Sequence, residues 1–231
     1  RRHAFAVEGM ADNAAYFSRT RARDYRYLEP MPDASKGLLR ALASRACGLV
    51  TDDCPWVADS FRTEHLAGEV PVAIERVDSV GLLPMAACER VFPSAHTFRR
   101  VLQEHLPEHL ESLPVAAPLD GVSLAPPPSL PAEVTQRWPL ADVARVAADR
   151  ARLAAFPIDH TVSGCTLRGG FGAARSTLKR FLDTRLARYE AGRNHPDDEA
   201  TSGLSPFLHF GHIGAHEVFV ELARHEGWTS A

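Results

Sequence analysis

The sequence predicts a chain in two parts, a truncated parallel α/β sheet followed by the first helices of an all-helical domain. Short apolar runs alternate with helical patterns over residues 1–111, the rhythm of an open parallel sheet. Seven prolines crowd into residues 112–139, and helical periodicity is continuous from residue 173. We therefore expect an α/β domain over 1–111, a proline-rich connector over 112–160 and a helical domain over 161–231.

The elements of the first part follow from apolar spacing and from turn residues. The spacing predicts helices over 1–19, 35–46 and 95–111, a helix ending near residue 67, and strands over 25–28, 48–51 and 70–78. Asp52, Asp53 and Asp78 fall at the carboxyl ends of strands. Such ends bind ligands in open α/β sheets, but aspartate also favours turns and helix caps, and we favour the turn interpretation.

The second part is predicted to be helical. Helices are expected over 140–154, 173–190 and 213–225, and residues 112–139 are expected to be extended. Gly169 and Gly170 precede a helix and could admit a phosphate, although a plain turn is the simpler interpretation. The polar face of the helix that follows carries Arg175, Lys179, Arg180, Arg185 and Arg188. That face is either a nucleic-acid surface or a solvated helix face, and we favour the latter.

Composition and charge exclude several classes of protein. The 231 residues carry a net charge of −3, 45% hydrophobic residues, and no apolar run long enough for a membrane span. Four scattered cysteines and the lack of an apolar leader point to a cytoplasmic protein. His212 and His216 are spaced for one face of a helix but lack a third ligand, so no metal is expected. No catalytic triad or paired carboxylate stands out, and catalytic residues stay unknown.

A phosphate site is predicted between two helices near the end of the chain. The helix over 173–190 ends near Tyr189, an acidic loop follows, and the next helix opens on Thr201, Ser202, Gly203, Leu204 and Ser205. Backbone amides at a helix start, together with small hydroxyl side chains, suit a phosphate.

The sequence motifs of this region indicate a particular family more specifically than its predicted geometry does. Gly169-Gly170, Tyr189, Arg193-Asn194 and the stretch from Thr201 to Gly211, TSGLSPFLHFG, resemble the flavin-binding region of the DNA photolyase and cryptochrome family. The sequence of this stretch most resembles that of the class II photolyases, which act on cyclobutane pyrimidine dimers. Residues 48–53, 77–79 and 92–99 resemble the Rossmann-like N-terminal domain of that class more loosely. His212 and Gly214 depart from the family, where glutamine and serine are usual.

The resemblance implies a cofactor, a substrate and an activity. FAD would be held by its phosphates at Tyr189, Thr201, Ser202, Gly203, Leu204 and Ser205, and a second, antenna chromophore of unknown identity is allowed. In a monomeric enzyme, light-excited reduced FAD would donate an electron to a pyrimidine dimer in damaged DNA. A cryptochrome-like photoreceptor and a degenerate, non-catalytic protein of the same fold are the alternatives.

Both ends of the chain bear on that activity. It begins at Arg1 within a predicted helix and stops at Ala231 soon after another one. We therefore expect a piece of a longer protein, inactive on its own.

Overall fold

The computed structural model describes residues 2–53, 57–88, 90–162 and 166–229. It also describes their side chains, except those of residues 57–62. Within these residues a small parallel sheet is combined with helices. The helices are α1 (Arg2–Phe17), α2 (Leu38–Ala43), α3 (Val57–Glu69), α4 (Ala95–Leu110), α5 (Ala132–Arg137), α6 (Val143–Ala148), α7 (Phe171–Thr184), α8 (Leu186–Gly192), α9 (Ser205–His209) and α10 (Ala215–Glu226). The strands are β1 (Leu49–Asp52) and β2 (Ile74–Val77), and short 3-10 turns cover Met85–Ala87, Arg150–Ala155 and Pro196–Asp198.

The chain forms two compact units, and the predicted division at residues 111 and 161 stays a prediction. The first unit comprises residues 1–38 and 118–213, and the second comprises residues 39–117 and 214–231. In the first unit, α1 packs against α6 and α7. Its buried apolar side chains include Phe5, Val134, Val143, Leu178, Phe181, Leu204 and Phe207.

Helix α1 owes its place to one buried stripe. Ala4, Phe5 and Glu8 are buried and recur at the spacing of one helix face. The Phe5 ring lies 5.2 Å from the ring of Phe207 and 5.4 Å from that of Phe210, between centroids. Phe207 is completely buried, so the segment after α8 is anchored in the same core as α1.

Helices α7 and α8 correct the prediction of one helix over 173–190. Ala174, Leu178 and Phe181 are buried at helical spacing, as predicted. The helix is interrupted at Arg185, whose backbone φ is −125° and ψ −21°. Its amide still donates to the carbonyl of Phe181, at 2.9 Å. The Arg185 side chain donates a hydrogen bond to the backbone of a distant segment, so a tertiary contact accompanies the break. The apolar periodicity of the sequence does not reveal such a break.

The proline-rich segment is more structured than predicted. Residues 132–137 form α5 within the stretch expected to be extended. The indole Nε1 of Trp138 donates to the carbonyl of Ala34 at 2.9 Å, and the Tyr25 hydroxyl donates to the carbonyl of Trp138. The predicted helix over 140–154 divides into α6 and a 3-10 turn at Asp149, which caps the turn with its side chain.

Residues 25–28 do not form the strand that was predicted. Their backbone pairs with no strand in the described residues, and the carbonyl of Arg26 accepts the amide of Ala141 at 2.8 Å. The hydrogen bonds that a sheet would have satisfied go to the segment after α5 instead.

The second unit contains the parallel sheet and confirms the α/β prediction. β1 and β2 pair in register, Leu49 beside Ile74 and Asp52 beside Val77, with α3 between them in the chain. The predicted strand over 70–78 and helix over 35–46 are both shorter, at Ile74–Val77 and Leu38–Ala43. From Phe171 to Glu226 no strand occurs, as predicted.

The aspartates at the strand ends organise turns. Ser79 donates its hydroxyl to Asp52 Oδ1 at 2.7 Å, and Asp53 lies 3.5 Å from the guanidinium of Arg76. The carboxylate of Asp78 accepts the amides of Val80 and Met85. These contacts support the turn interpretation over a ligand cleft.

None of the helices in the described ranges is long and apolar enough to cross a membrane.

Candidate functional site

Residues 201–205, here called the hydroxyl loop, lie on α7. The Ser202 hydroxyl accepts the amide of Leu204 at 3.3 Å, a local turn that orders the loop. Gly203 has a φ of +71°, in the left-handed region that favours glycine. A methyl group added to Gly203 would lie 3.7 Å from Thr177 Cγ2, so the loop rests against the middle of α7. The side chain of Leu204, 2% exposed, anchors it in the core.

The polar groups of the hydroxyl loop are available to a ligand. Thr201, Gly203 and Ser205 are exposed and Ser202 is half-buried. Within the described residues, the hydroxyls of Thr201 and Ser205 and the amides of Ser202 and Gly203 have no hydrogen-bond partner. Three hydroxyls and unsatisfied amides on one short loop fit the oxygens of a phosphate or diphosphate.

Tyr189 is half-buried on α8, near the start of the hydroxyl loop. Its ring packs edge-on against Phe181, with centroids 5.5 Å apart and an interplanar angle of 85°. A methyl group added to Gly192 would lie 2.7 Å from Cβ of Ala200, so the end of α8 adjoins the residue that precedes Thr201. The structure thus brings the end of the Tyr189 helix and the loop together, and within the described residues no hydrogen bond joins Tyr189 to the loop.

Arg185 links the break between α7 and α8 to the hydroxyl loop. Its Nη1 donates to the carbonyl of Thr201 at 3.4 Å, and its Nη2 lies 3.6 Å from the Glu199 carboxylate. The guanidinium of Arg193 lies 5.9 Å from the centroid of the Tyr189 ring. Arg185 therefore brings a positive charge to the hydroxyl loop and Arg193 brings one to Tyr189, although Asp197 and Asp198 add negative charge to the preceding turn.

Sequence reasoning placed Arg185 only on a basic helix face. Its position four residues before Tyr189, one turn away, was the available signal. On this face Lys179 donates to Asp183 at 2.8 Å, and this exposed contact raises the pKa of Lys179. The preference for a solvated face over a nucleic-acid surface stays a prediction. The guanidinium of Arg175 lies 5.5 Å from the centroid of the Phe171 ring.

The Gly169–Gly170 turn is fully occupied by protein groups. The Gly169 amide donates to Glu8 Oε2 at 2.6 Å, and the Gly170 amide donates to His212 Nδ1 at 3.0 Å. The Gly172 amide donates to Asp12 Oδ2 at 3.1 Å. Because side chains of α1 and His212 satisfy the amides that a phosphate would need, the plain turn is the correct interpretation.

A buried charge on α1 supports this turn. Glu8 is 6% exposed and accepts from Arg150 Nε at 2.9 Å and from Nη2 at 2.6 Å. Sequence reasoning missed Glu8, Asp12, Arg150 and the role of His212. The sequence did offer one signal, because Glu8 lies one turn after Phe5 on an apolar helix face. A charge on a buried face needs a partner.

The predicted absence of a metal stays a prediction. Among the described residues, no group of three or more His, Cys, Asp or Glu side chains could hold a metal ion. The Nδ1 atom of His212, one of the two histidines considered for a metal, accepts the amide of Gly170.

Comparison with known proteins identifies relatives along most of the chain. No family model matches the sequence. It is 25% identical over 215 residues to the deoxyribodipyrimidine photo-lyase of Methanothermobacter thermautotrophicus, which covers 92% of this chain and 43% of that protein. It is 34% identical over 163 residues to the enzyme of that name from Oryza sativa subsp. japonica, covering 68% of this chain and 29% of that protein. It is 25% identical over 188 residues to the enzyme of that name from Potorous tridactylus, and the match covers 77% of this chain and 31% of that protein.

The chain thus spans less than half the length of these relatives. The similarity extends over both the α/β unit and the helical region that carries the hydroxyl loop, because the longest match covers 92% of the chain. On this evidence the chain belongs to the DNA photolyase and cryptochrome family.

Proposed function

We propose that the protein carrying this chain repairs cyclobutane pyrimidine dimers in DNA with light, and that the hydroxyl loop holds the phosphates of FAD. The observation that carries the proposal is the group of unpartnered hydroxyls and amides at residues 201–205, in a chain whose relatives are named deoxyribodipyrimidine photo-lyase. The class II type of the enzyme, a monomeric state and a second, antenna chromophore are part of this proposal.

The residues of the loop divide the work of binding. Thr201, Ser202 and Ser205 would donate their hydroxyls to phosphate oxygens, and the amides of Ser202 and Gly203 would do the same from the backbone. Leu204 holds the loop in the core and Arg185 fixes its first carbonyl. Tyr189 would offer its hydroxyl from the end of α8.

Arg185 and Arg193 add positive charge beside the proposed phosphates. A phosphate near them exchanges water for charge-assisted hydrogen bonds, which are stronger than neutral ones. When bound, FAD supplies the light-driven electron transfer that splits the dimer, and the protein supplies its position. Damaged DNA is the proposed partner, since a dimer already weakens base stacking and lowers the cost of flipping the damaged bases out.

The first experiment measures flavin retention. We expect the double variant Ser202→Ala, Ser205→Ala to lose flavin, because each hydrogen bond to a charged phosphate is worth roughly 1.5–3 kcal/mol. The measurement is flavin absorbance per mole of protein purified as the cell makes it, followed by FAD titration. The matched control is Ser176→Ala, whose hydroxyl donates to the carbonyl of Gly172 inside α7 at 2.9 Å. Equal flavin content and affinity in the double variant and the control would refute the loop assignment.

The second experiment measures repair. The flavin-loaded protein is mixed with an oligonucleotide that contains one cyclobutane dimer, and restored thymines are counted after illumination and in the dark. Light-dependent restoration supports the photolyase function. Flavin retention without any restored thymine would instead support the cryptochrome-like photoreceptor. A protein that never binds flavin would support the degenerate, non-catalytic alternative.

A further inference from the structure

His212 lies where three segments of the first unit meet, and the proposed function gives it no role. Its ring stacks on Phe5 of α1, with centroids 4.6 Å apart and planes at 28°. Its Nδ1 accepts the amide of Gly170 at 3.0 Å, and its own amide donates to the carbonyl of Phe207 at 2.8 Å. His212 therefore joins α1 and the turn before α7, through its ring, to α9, the helix that begins at Ser205, through its backbone amide.

The packing around the ring leaves it little freedom. A methyl group added to Gly9 would lie 2.2 Å from His212 Nε2, and one added to Gly169 would lie 3.0 Å from Cε1. Gly170 has a φ of 97° and a ψ of 164°, a backbone conformation that is essentially restricted to glycine. Neither the ring nor the turn can shift without disturbing the other, because glycines on both sides permit their close approach.

The hydrogen bond from Gly170 fixes the protonation state of the ring. An amide N–H requires an acceptor, so Nδ1 carries no proton and the imidazole is neutral with its hydrogen on Nε2. A proton on Nδ1 would place two donors against each other within a buried contact, and the Gly170 amide would lose its partner.

We propose that neutral His212 is a positioning residue for the hydroxyl loop, and that its protonation loosens the loop. The inference rests on the proposed function only in its flavin arm, because the structural link from Gly170 through His212 to Phe207 exists without a ligand. Loss of the Gly170 bond would free the ring and with it the start of α9, where Ser205 would meet the phosphates.

Several charges lie near the ring, but burial decides the direction in which its pKa shifts. Glu8 and Asp12 approach from α1, and Arg150 is held by Glu8. Arg168 precedes the turn in the chain, and His209 on α9 packs edge-on against Phe210 at 4.9 Å between centroids. Burial lowers the pKa of His212, and the two carboxylates oppose this only in part.

The sign of the pH effect follows from this lowered pKa. Above the ordinary histidine pKa of about 6.5, the folded and unfolded chains both hold neutral His212 and its contribution to stability is complete. As the pH falls below that value, the unfolded chain takes up the proton first, so stability is lost. The loss stops once the pH is below the pKa of the folded state.

The test compares the protein as the cell makes it with two variants at His212. His212→Gln places an amide oxygen near Gly170 and does not titrate, and His212→Leu removes the acceptor at every pH. The control is His96→Gln, an exposed histidine on α4 of the second unit. Urea midpoints and bound-flavin fluorescence are measured from pH 5 to pH 8.

The wild-type protein is expected to lose urea stability below pH 6.5 relative to His212→Gln, and the control is expected to follow the wild type. Flavin affinity should fall in the wild type as the pH is lowered from 7.5 toward 5, by about tenfold once the folded protein takes up the proton, and by less than about twofold in His212→Gln, the scale of one hydrogen bond. His212→Leu, if it folds, should hold flavin weakly at both values.

Parallel pH profiles of stability for the wild type and His212→Gln would overturn the proposal. A stability difference with no difference in flavin affinity would overturn the positioning role. A protein that binds no flavin at any pH refutes the proposed function, and the urea arm still decides whether protonation of His212 loosens the fold.

Discussion

The Glu8 carboxylate on α1 accepts the amide of Gly169 at 2.6 Å, although 161 positions separate the two residues in the chain. Arg150 holds the same carboxylate from a third segment. The contact joins the first helix of the chain to the start of α7, the helix against which the hydroxyl loop rests. The order of the candidate site therefore depends on a residue near the other end of the sequence.

Glu8→Gln is expected to lower the free energy of unfolding by about 2–3 kcal/mol. The variant removes the Glu8 charge that pairs with the Arg150 guanidinium, and breaking a buried ion pair from one side costs about 3–5 kcal/mol. The expected loss is smaller because the Arg150 side chain is 37% exposed. Urea unfolding monitored by circular dichroism measures it.

Glu104→Gln is the control for this prediction, because Glu104 is exposed on α4 in the second unit. We expect a change within about 0.5 kcal/mol for such a surface substitution. Equal midpoints for the two variants would show that the buried pair adds nothing to stability.

Gly170→Ala and Gly172→Ala should move stability in opposite directions. A methyl group on Gly170 would lie 2.4 Å from Asp12 Oδ2, and the φ of 97° is strained for alanine, so a loss of about 1–3 kcal/mol is expected. A methyl group on Gly172 would lie 3.9 Å from the same oxygen, inside a helix where alanine is preferred by up to about 1 kcal/mol. Thermal unfolding of the pair is the measurement, and a loss of similar size in both would contradict the assigned turn.

Arg185→Gln is expected to weaken FAD binding about fivefold while α7 stays folded. The substitution removes the contact to the Thr201 carbonyl and the charge beside the proposed phosphates, and one such hydrogen bond is worth about 1 kcal/mol. Arg188→Gln is the matched control, since Arg188 is an exposed arginine on α8. FAD titration by fluorescence quenching separates them, and identical affinities would remove Arg185 from the site.

Local patterns predicted much of this structure, and distant contacts account for the errors. The stripe of Ala174, Leu178 and Phe181 correctly predicted α7, because burial of one helix face repeats at a fixed spacing. The break at Arg185 is accompanied by contacts to Thr201 and Glu199, which lie beyond the helix and outside any local window. The strand expected at residues 25–28 failed for a similar reason, since its backbone partner is Ala141.

The candidate site shows the same division. The residue types of the hydroxyl loop, two serines and a glycine after a threonine, predicted a phosphate site from their own chemistry. The turn before α7, the helix against which that loop rests, is held by side chains such as Glu8 and His212. Their partners are backbone amides, which carry no signature in a sequence.

Residues 1–231 produced alone are expected to bind FAD weakly, with a dissociation constant well above the micromolar range. The chain matches only 43% of one relative and 29% of another, and a ligand pocket normally buries most of its ligand. The hydroxyl loop offers hydrogen bonds to the phosphates, and phosphate contacts alone leave the ring system and the adenine in water. Fluorescence titration with FAD measures the affinity, and riboflavin, which lacks phosphate, is the control ligand that should bind more weakly still. Micromolar or tighter FAD binding, or dimer repair above a dark control, would show that these residues already form a complete pocket.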